Sequence, residues 1–567
     1  MFATIKALLK EEMIRIRVCG GRDTLARLSG KENRAYREWY RKTETKRAEK
    51  QTGSAWRDTV FWDIIYIEEN GAGAGRRRRR LRQWGRQTYT NWRLLCVKTL
   101  EEARQAASGD YALFPADGDV LAADGLEILT GVIEKDPSAD FLYTDEDERT
   151  VWRRLPVRPH FKPDYNEELF ASCDYIRRAF ALKRELWTSA VQRPGEKEQA
   201  EKKCGIAAAG AGWTYGLLLW CTERAEKILH IPRILYHDRR RVFWKEWKRT
   251  AEAWREGPVL LTEHYRREGL PARAVKGRWA GTWRTEFHWQ GRPLVSIIIP
   301  NKDHADDLNR CVDSILQRSE YQDYEIIIVE NSSEREETFE NYRRLQEKDA
   351  RVRLVTWEGE FHYSKINNYG VGFAKGEYLL FLNNDTELIS PAAIGRMADY
   401  CRCPGVGAVG AKLYYADGSI QHAGVVIGYG GTAGHAFITM PGAYVGYERR
   451  AVLAQDVSAV TGACLMSGRD AFEEAGGFSE AFRVAFNDID YCLKIKENGK
   501  RTVYLPDSEW FHFESKSRGY EDTEEKRLRF AEESAKFREK WRDILVAGDP
   551  CYNPNLSLER ADFARKA

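Results

Sequence analysis

The stretch from 295 to 330 permits few folds. VSIIIP (295–300) is an unbroken apolar run, the polar loop NKDHADD follows it, LNRCVDSILQ has a helical period, and EIIIVE (325–330) is a second apolar run. Short continuous apolar runs on either side of a helix read as buried strands of a βαβ unit, and so as part of a parallel sheet.

The same pattern is written twice. SILQRSEYQDYEIIIVENSS (314–333) echoes RQWGRQTYTNWRLLCVKTLE (82–101), and GEYLLFLNNDTEL (376–388) echoes GDYALFPADGDVL (109–121). In each, an apolar strand runs into an acidic or amide loop, which indicates a tandem duplication of one α/β module. The copies are unequal: roughly 50 residues separate EIIIVE from LFLNND, and about 15 separate LLCVK from ALFPAD. A βαβα stretch at the sheet edge is therefore expected to be missing from the first copy. At 567 residues the chain is too long for one core, and two domains of roughly 200–250 residues with extensions are expected. The expected limits are a helical, basic extension over 1–57, a degenerate copy over 58–275, an intact copy over 276–519, and a helix with a tail over 520–567.

With 43% hydrophobic and 31% charged residues, the composition is that of a soluble globular chain. No run reaches the roughly 20 apolar residues of a membrane-crossing helix. The first segment, MFATIKALLKEEMIRIRV, lacks the apolar core of a secretory signal, so a cytoplasmic location is expected. The eleven cysteines are scattered and read as reduced thiols. Net charge is +4, yet residues 1–100 hold 24 Lys+Arg against 11 Asp+Glu. The arginine run 76–80 reads as a basic loop, either simply solvated or in contact with an anionic membrane face or lipid pyrophosphate. No aromatic-basic motif accompanies it, so nucleic acid is not an expected partner.

Ligands of open α/β sheets bind beyond the carboxyl ends of the strands. There the second copy places Pro300, Asn301 and Asp303 after one strand, Glu330 and Asn331 after the next, and Asn383, Asn384 and Asp385 after a third. Such residues also begin turns for purely structural reasons. A nucleotide-sugar donor carries a diphosphate, whose departure Mg²⁺ or Mn²⁺ assists through oxygen ligands, and Asp385 offers one. The acceptor hydroxyl needs a base. VAFNDIDYCLK (484–494) supplies Asp488 and Asp490 at a helix start, where carboxylates also serve as caps. Two residues apart, they face different ways. His512, in WFHFESKSRG, could complete a metal shell or touch the diphosphate.

These blocks resemble family 2 glycosyltransferases of the GT-A fold, specifically the tandem-domain, rhamnosyltransferase-like members that build O-antigen and cell-wall polysaccharide. VSIIIPNKD, EIIIVENSS, FHYSKINNYGVGFAKGEYLLFLNNDTELI, VGAVGAKLYYADGSIQHAGVVIG, VTGACLMSGRDAFEEAGGFSEAFRVAFNDIDYCLKI, HFESKSRG and DPCYNPNLSL span nearly all of 293–558; FLYTDEDE, FKPDYNEEL and HIPRILYH match more weakly in the first half. The resemblance implies two GT-A-like α/β domains with mostly parallel sheets, the first degenerate and inactive, and helical extensions at both ends. It implies an inverting displacement with Asp488 as base, Asp385 and His512 at the metal, Glu330 at the donor base and Asn368 lining the nucleotide site. Gln421 and His422, in IQHAGVVIG, take an acceptor-side role, with Asp490 beside them. The donor would be a dTDP- or UDP-sugar, rhamnose favoured, and the acceptor a glycan or lipid-linked glycan. In the first copy Thr214 falls at the expected acidic position of GWTYGLLLW, while Asp117 and Asp119 remain. Two rival readings are a non-catalytic glycan-binding scaffold, and a nucleotidyltransferase, which would carry a Gly-rich basic loop where NKDHADD stands.

The segment 520–541 reads as an amphipathic helix with Leu528, Phe530, Phe537 and Trp541 as apolar candidates.

Overall fold

The computed structural model describes residues 31–51, 59–68, 73–150, 155–191, 212–239, 243–513 and 523–566. The chain forms two compact units. One holds Met1–Tyr165, Phe170–His288 and Ala567; the other holds Asn166–Leu169 and Trp289–Lys566.

The strands of the first unit are β1 (Trp62–Ile67), β2 (Trp92–Val97), β3 (Tyr111–Leu113), β4 (Val120–Leu121), β5 (Phe141–Arg149), β6 (Pro156–His160), β7 (Phe180–Lys183) and β8 (Ile228–Arg239). They form one sheet in the order β2-β1-β3-β7-β5-β8-β4, with β6 beside β5. A separate hairpin, β9 (Ala272–Lys276) and β10 (Trp283–Phe287), packs on the helix Phe243–Arg267 through Trp254 Nε1 to Thr282 O (3.1 Å) and Tyr265 Oη to Thr285 Oγ1 (2.6 Å). The hairpin carries the first unit past the expected limit of 275 to His288.

The second unit contains β11 (Val295–Asn301), β12 (Tyr324–Glu330), β13 (Val352–Thr356), β14 (Tyr378–Leu382), β15 (Thr386–Leu388), β16 (Val406–Tyr414), β17 (Ile420–His422), β18 (Val425–Ile427), β19 (Ala433–His435), β20 (Gln455–Val457), β21 (Cys464–Gly468) and β22 (Arg501–His512). Its main sheet runs β13-β12-β11-β14-β21-β16-β22-β15, with β17 on β16 and β20 on β22; β18 and β19 pair separately.

The two main sheets correspond strand for strand: β2-β1-β3-β7-β5-β8-β4 matches β12-β11-β14-β21-β16-β22-β15. Pairing senses match too, since β1 is parallel to β2 and β3 as β11 is to β12 and β14, and β5 to β8 as β16 to β22. Sequence duplication is thus structural duplication. The missing piece is smaller than a βαβα stretch. Between β12 and β14 the second copy has helix Glu336–Lys348, β13 and helix Tyr363–Val371, where the first has the single helix Leu100–Ala106. Each sheet is mixed, not mostly parallel, because β7 and β21 run antiparallel to both neighbours and the edge strands β4 and β15 run antiparallel to β8 and β22.

One glycine is needed in each copy. A Cβ on Gly376 would stand 2.6 Å from Leu294 O and Ser296 N, and one on Gly109 would stand 2.8 Å from Phe61 O and Asp63 N. Strands β14 and β3 start against their neighbours only with no side chain there.

The helix Lys31–Gln51 is anchored in the first unit by Tyr36, Trp39 and Tyr40. Tyr36 Oη donates to Asp147 Oδ2 (2.6 Å), Trp39 packs edge-on against Phe161 (5.5 Å), and Tyr40 Oη lies 3.4 Å from His237 Nε2. Residues 1–30 lie outside the described residues. The arginine run is not a loop; it lies in the helix Ala74–Trp84. Arg80 is 2% exposed, ion-paired with Glu68 and Asp117, and stacked 3.9 Å over Tyr66. Arg79 also pairs with Asp117, which leaves Arg77, Arg78, Arg82 and Arg86 exposed. The nine described cysteines are free, and among the described residues no helix is long and apolar enough to cross a membrane.

Candidate active site

The carboxyl ends of β11, β12 and β14 are stitched together by their own side chains. Asn301 Oδ1 accepts from Asn384 Nδ2 (2.6 Å), and Asn301 Nδ2 donates to Tyr342 Oη (2.7 Å) and Asp303 O (2.9 Å). Asn331 N donates to Asn301 O (2.8 Å), its Nδ2 donates to Gly359 O (2.9 Å), and its Oδ1 is a buried acceptor with no partner. Glu330 is buried beside it and accepts from Ser333 N. Pro300 is half-buried next to Asn301.

Two expected nucleotide contacts are committed elsewhere. Asp303 Oδ1 accepts from Glu334 N and Arg335 N (both 3.1 Å) and from Thr338 Oγ1, ahead of the helix Glu336–Lys348. Burial pushes this carboxyl up, but those donors, Arg335 N foremost, hold it below the usual range, as for a helix cap. Asn368 clasps the backbone of Phe478, donating to its O (2.9 Å) and accepting from its N (3.0 Å). Both of its amide atoms therefore tie the helix Tyr363–Val371 to the 478 loop instead of facing a nucleotide.

Asp385 and His512 do meet. Strand β15 pairs with β22 in a register that sets Thr386 opposite His512, and Phe513 N donates to Asp385 O (2.9 Å). Strand β22 reaches this point through a register shift against β16 between Leu505 and Glu509, at Pro506, where a strand loses a donor and bulges. His512 Nε2 lies 3.2 Å from Asp385 Oδ1 and 3.1 Å from Asn383 Nδ2. On its other side, Nδ1 lies 2.6 Å from Gln421 Oε1. Gln421 is held the right way round by its Nε2, which donates to His512 O (3.4 Å). Nδ1 therefore carries a proton, and Nε2 is the ring atom turned to the Asp385 carboxylate. An imidazole nitrogen and a carboxylate oxygen 3.2 Å apart can share one cation, a proton or, with Nε2 unprotonated, a divalent metal. Among the described residues no group of three or more His, Cys, Asp or Glu could hold a metal ion; Asp385 and His512 are a pair.

Gln421 and His422 are not on the open face. They are 3% and 0% exposed, behind His512 on β17. His422 Nε2 lies 3.3 Å from Gly424 N, and its Nδ1 lies 3.1 Å from His435 Nδ1. Burial first, then His435 and His512, hold His422 well below its ordinary value, and its ring is neutral. Burial removes both residues from reach of an acceptor.

Asp488 is half-buried at the second position of the helix Asn487–Glu497. Its Oδ2 accepts from Gly462 N (2.8 Å). The next residue, Ala463, accepts from Asn383 N (3.0 Å), so two residues of chain connect Asp488 to the loop carrying Asp385. Asp490, 0% exposed, points away from that loop: its Oδ1 accepts from Lys540 Nζ (2.6 Å) and Trp541 Nε1 (2.9 Å). An acceptor role for Asp490 is therefore not supported. Residues 514–518 of the string after His512 lie outside the described residues.

Residues 296–476 match the family model described as Glycosyl transferase family 2. The second unit carries a family 2 glycosyltransferase domain. Among curated relatives, protein y4gI of Sinorhizobium fredii is 39% identical over 473 residues, which is 81% of this chain and 50% of that protein. The O-antigen biosynthesis protein RfbC of Myxococcus xanthus is 33% identical over 469 residues, 82% of this chain and 35% of that one. The chain thus spans half or less of these relatives' lengths. The mannosyltransferase PcManGT of Pyrobaculum calidifontis, solved with GDP-Man and Mn²⁺, is 18% identical over 46% of this chain and 69% of its own, with a TM-score of 0.33, a likeness too low to argue from.

The first unit lacks the glycosyltransferase domain's polar centre. Aligned along their strands, GDYALFPADGDVL sets Gly118 where GEYLLFLNNDTEL has Asp385. Continuing the β4–β8 register sets Asp238 where β22 has His512, and Thr214 is the second residue of the helix before β8, as Asp488 is before β22. Asp117 pairs with Arg79 and Arg80; Asp119 is buried, accepting from Tyr236 Oη (2.5 Å) and Arg239 N (3.2 Å).

Proposed function

We propose that this chain transfers a sugar from a nucleoside-diphosphate donor to a glycan hydroxyl, with inversion at the anomeric carbon. The meeting of Asp385 and His512 at the carboxyl end of the sheet, two residues of chain from Asp488, carries this reading. Asn301, Asn384, Glu330 and the unpartnered Asn331 Oδ1 form the donor side, where a buried acceptor suits the single N3–H of a uracil or thymine. Asp385 and His512 Nε2 hold Mn²⁺ or Mg²⁺. When bound, the ion neutralises the charge that develops on the departing diphosphate. Asp488, oriented by Gly462 N, takes the proton of the attacking hydroxyl.

The similarity to the O-antigen biosynthesis protein RfbC supports a polysaccharide or lipid-linked glycan as acceptor. Rhamnose is the favoured sugar, on the resemblance to rhamnosyltransferase-like chains. We place the enzyme in the cytoplasm, peripheral on an anionic membrane face through Arg77, Arg78, Arg82 and Arg86. The first unit is inactive, since Gly118, Asp238 and Thr214 stand where Asp385, His512 and Asp488 would act.

The test is a panel of UDP-, dTDP- and GDP-sugars with Mn²⁺ or Mg²⁺ and extracted lipid-linked glycans. Nucleoside diphosphate should be released in proportion to acceptor and metal. Release from no donor, or pyrophosphate release from nucleoside triphosphates, would overturn the reading.

A further inference from the structure

Asp488 stands just after a turn in which Asn487 Nδ2 donates to Val484 O (2.9 Å) but whose amides find no partner of their own. Phe486 has φ +62°, a left-handed conformation that is strained for an aromatic residue. The segment before it, 483–485, is a loop without ladder or helix partners for its N–H groups.

Those partners come from the C-terminal helix Glu524–Lys540. Glu533 is buried and receives three successive backbone donors: Arg483 N (2.5 Å) and Val484 N (3.0 Å) on Oε1, and Ala485 N (2.9 Å) on Oε2. One turn on, Phe537 stacks on Phe486 with centroids 4.9 Å apart and planes 23° from parallel, and Phe530 packs on its ring at 5.6 Å. Another turn on, Lys540 and Trp541 grip Asp490. Positions 530, 533, 537, 540 and 541 share one helix face. That face holds the chain immediately before Asp488, at the strained residue and immediately after it.

We propose that this helix is a clamp on the Asp488 segment and that Glu533 is a positioning residue for the base. The inference rests on the reading of Asp488 as base. Glu533 fixes three successive amides with its two carboxyl oxygens, and those amides set the turn that aims the Asp488 carboxylate. Glu533→Gln keeps the volume but turns a donor toward the Ala485 N–H.

The experiment combines steady-state kinetics, using the donor that the panel turns over, with hydrogen–deuterium exchange of the full chain. In Glu533→Gln, kcat should fall at least tenfold with donor KM within twofold, and the 483–485 amides should exchange at least tenfold faster. Leu528→Ser, on the same helix but 60% exposed, should change neither. Should Glu533→Gln fail to fold, Lys540→Met tests the other end of the clamp, with kcat expected to fall at least threefold and exchange across 486–490 to rise. Unchanged exchange, or faster exchange with kcat intact, would overturn the proposal. A wild-type chain that releases nucleoside diphosphate from no donor would overturn the proposed function, and exchange would still decide whether the helix clamps 483–490.

Discussion

Replacing Gln421 by Leu should weaken metal binding without reaching the metal. Gln421 Oε1 is the acceptor for His512 Nδ1, 2.6 Å away and buried. Leucine fills similar volume and accepts nothing, so the Nδ1–H loses its partner at a cost of about 1–3 kcal/mol. The imidazole avoids that cost by moving its proton to Nε2, where Asp385 Oδ1 at 3.2 Å accepts it. The lone pair that would bind the ion then becomes a donor, and the ion must displace a proton to bind. Loss of such an orienting partner typically lowers metal affinity about 10- to 100-fold, equivalent to about 1.4–2.8 kcal/mol. The assay is Mn²⁺ titration by EPR with UDP at saturation, beside thermal unfolding to establish that the variant is folded. Folded Gln421→Leu with Mn²⁺ affinity within twofold of wild type would refute the tautomer argument.

Asp488→Asn should lower transfer by about 10²–10⁴-fold while leaving Mn²⁺ and nucleotide affinity in place; a variant that still transfers at the wild-type rate removes the base assignment. In the first unit, burial pushes Glu223 up, but hydrogen bonds from His264, Arg267 and Arg224 outweigh it and hold the carboxyl at about 2. A depressed carboxyl stabilises the fold above its unfolded value and loses that contribution as pH falls. The stability difference between wild type and Glu223→Gln should therefore shrink by up to about 3 kcal/mol, less after solvent screening, as pH falls from about 4.5 towards 2; a difference equal at pH 7 and pH 3 in thermal unfolding would contradict this. Replacing Arg77, Arg78, Arg82 and Arg86 by Ser should reduce sedimentation with phosphatidylserine vesicles at least tenfold at low salt, and unchanged binding would remove the membrane contact.

What the sequence made legible was local. Continuous apolar runs announced β11 and β12, and two echoing segments announced two sheets of one topology. Asp385, His512 and Asp488 could be singled out because each follows or precedes a readable strand or helix. What stayed hidden depends on partners far along the chain. Gln421 and His512 are 91 residues apart and meet because β17 and β22 both border β16, so nothing near Gln421 distinguishes an orienting group from an acceptor contact. Asp490 lies two positions from Asp488 and faces a helix whose first residue is 34 positions on. Asn368 reads as a ligand amide until Phe478 is seen to occupy both its atoms. The arginine run hid Arg80, because only the fold brings Glu68, Asp117 and Tyr66 around it. Leu528 counted as an apolar candidate, yet the face that packs is set by Glu533 and Phe537, and Leu528 lies off it.

Metal binding in this enzyme turns on one imidazole nitrogen, His512 Nε2, beside one carboxylate, Asp385. Pulsed EPR of Mn²⁺ with UDP, on protein carrying ¹⁵N-labelled histidine, reads that nitrogen directly. A single coordinated histidine nitrogen in wild type, lost in His512→Ala, is the expected spectrum; Mn²⁺ bound with no histidine coupling would contradict the site.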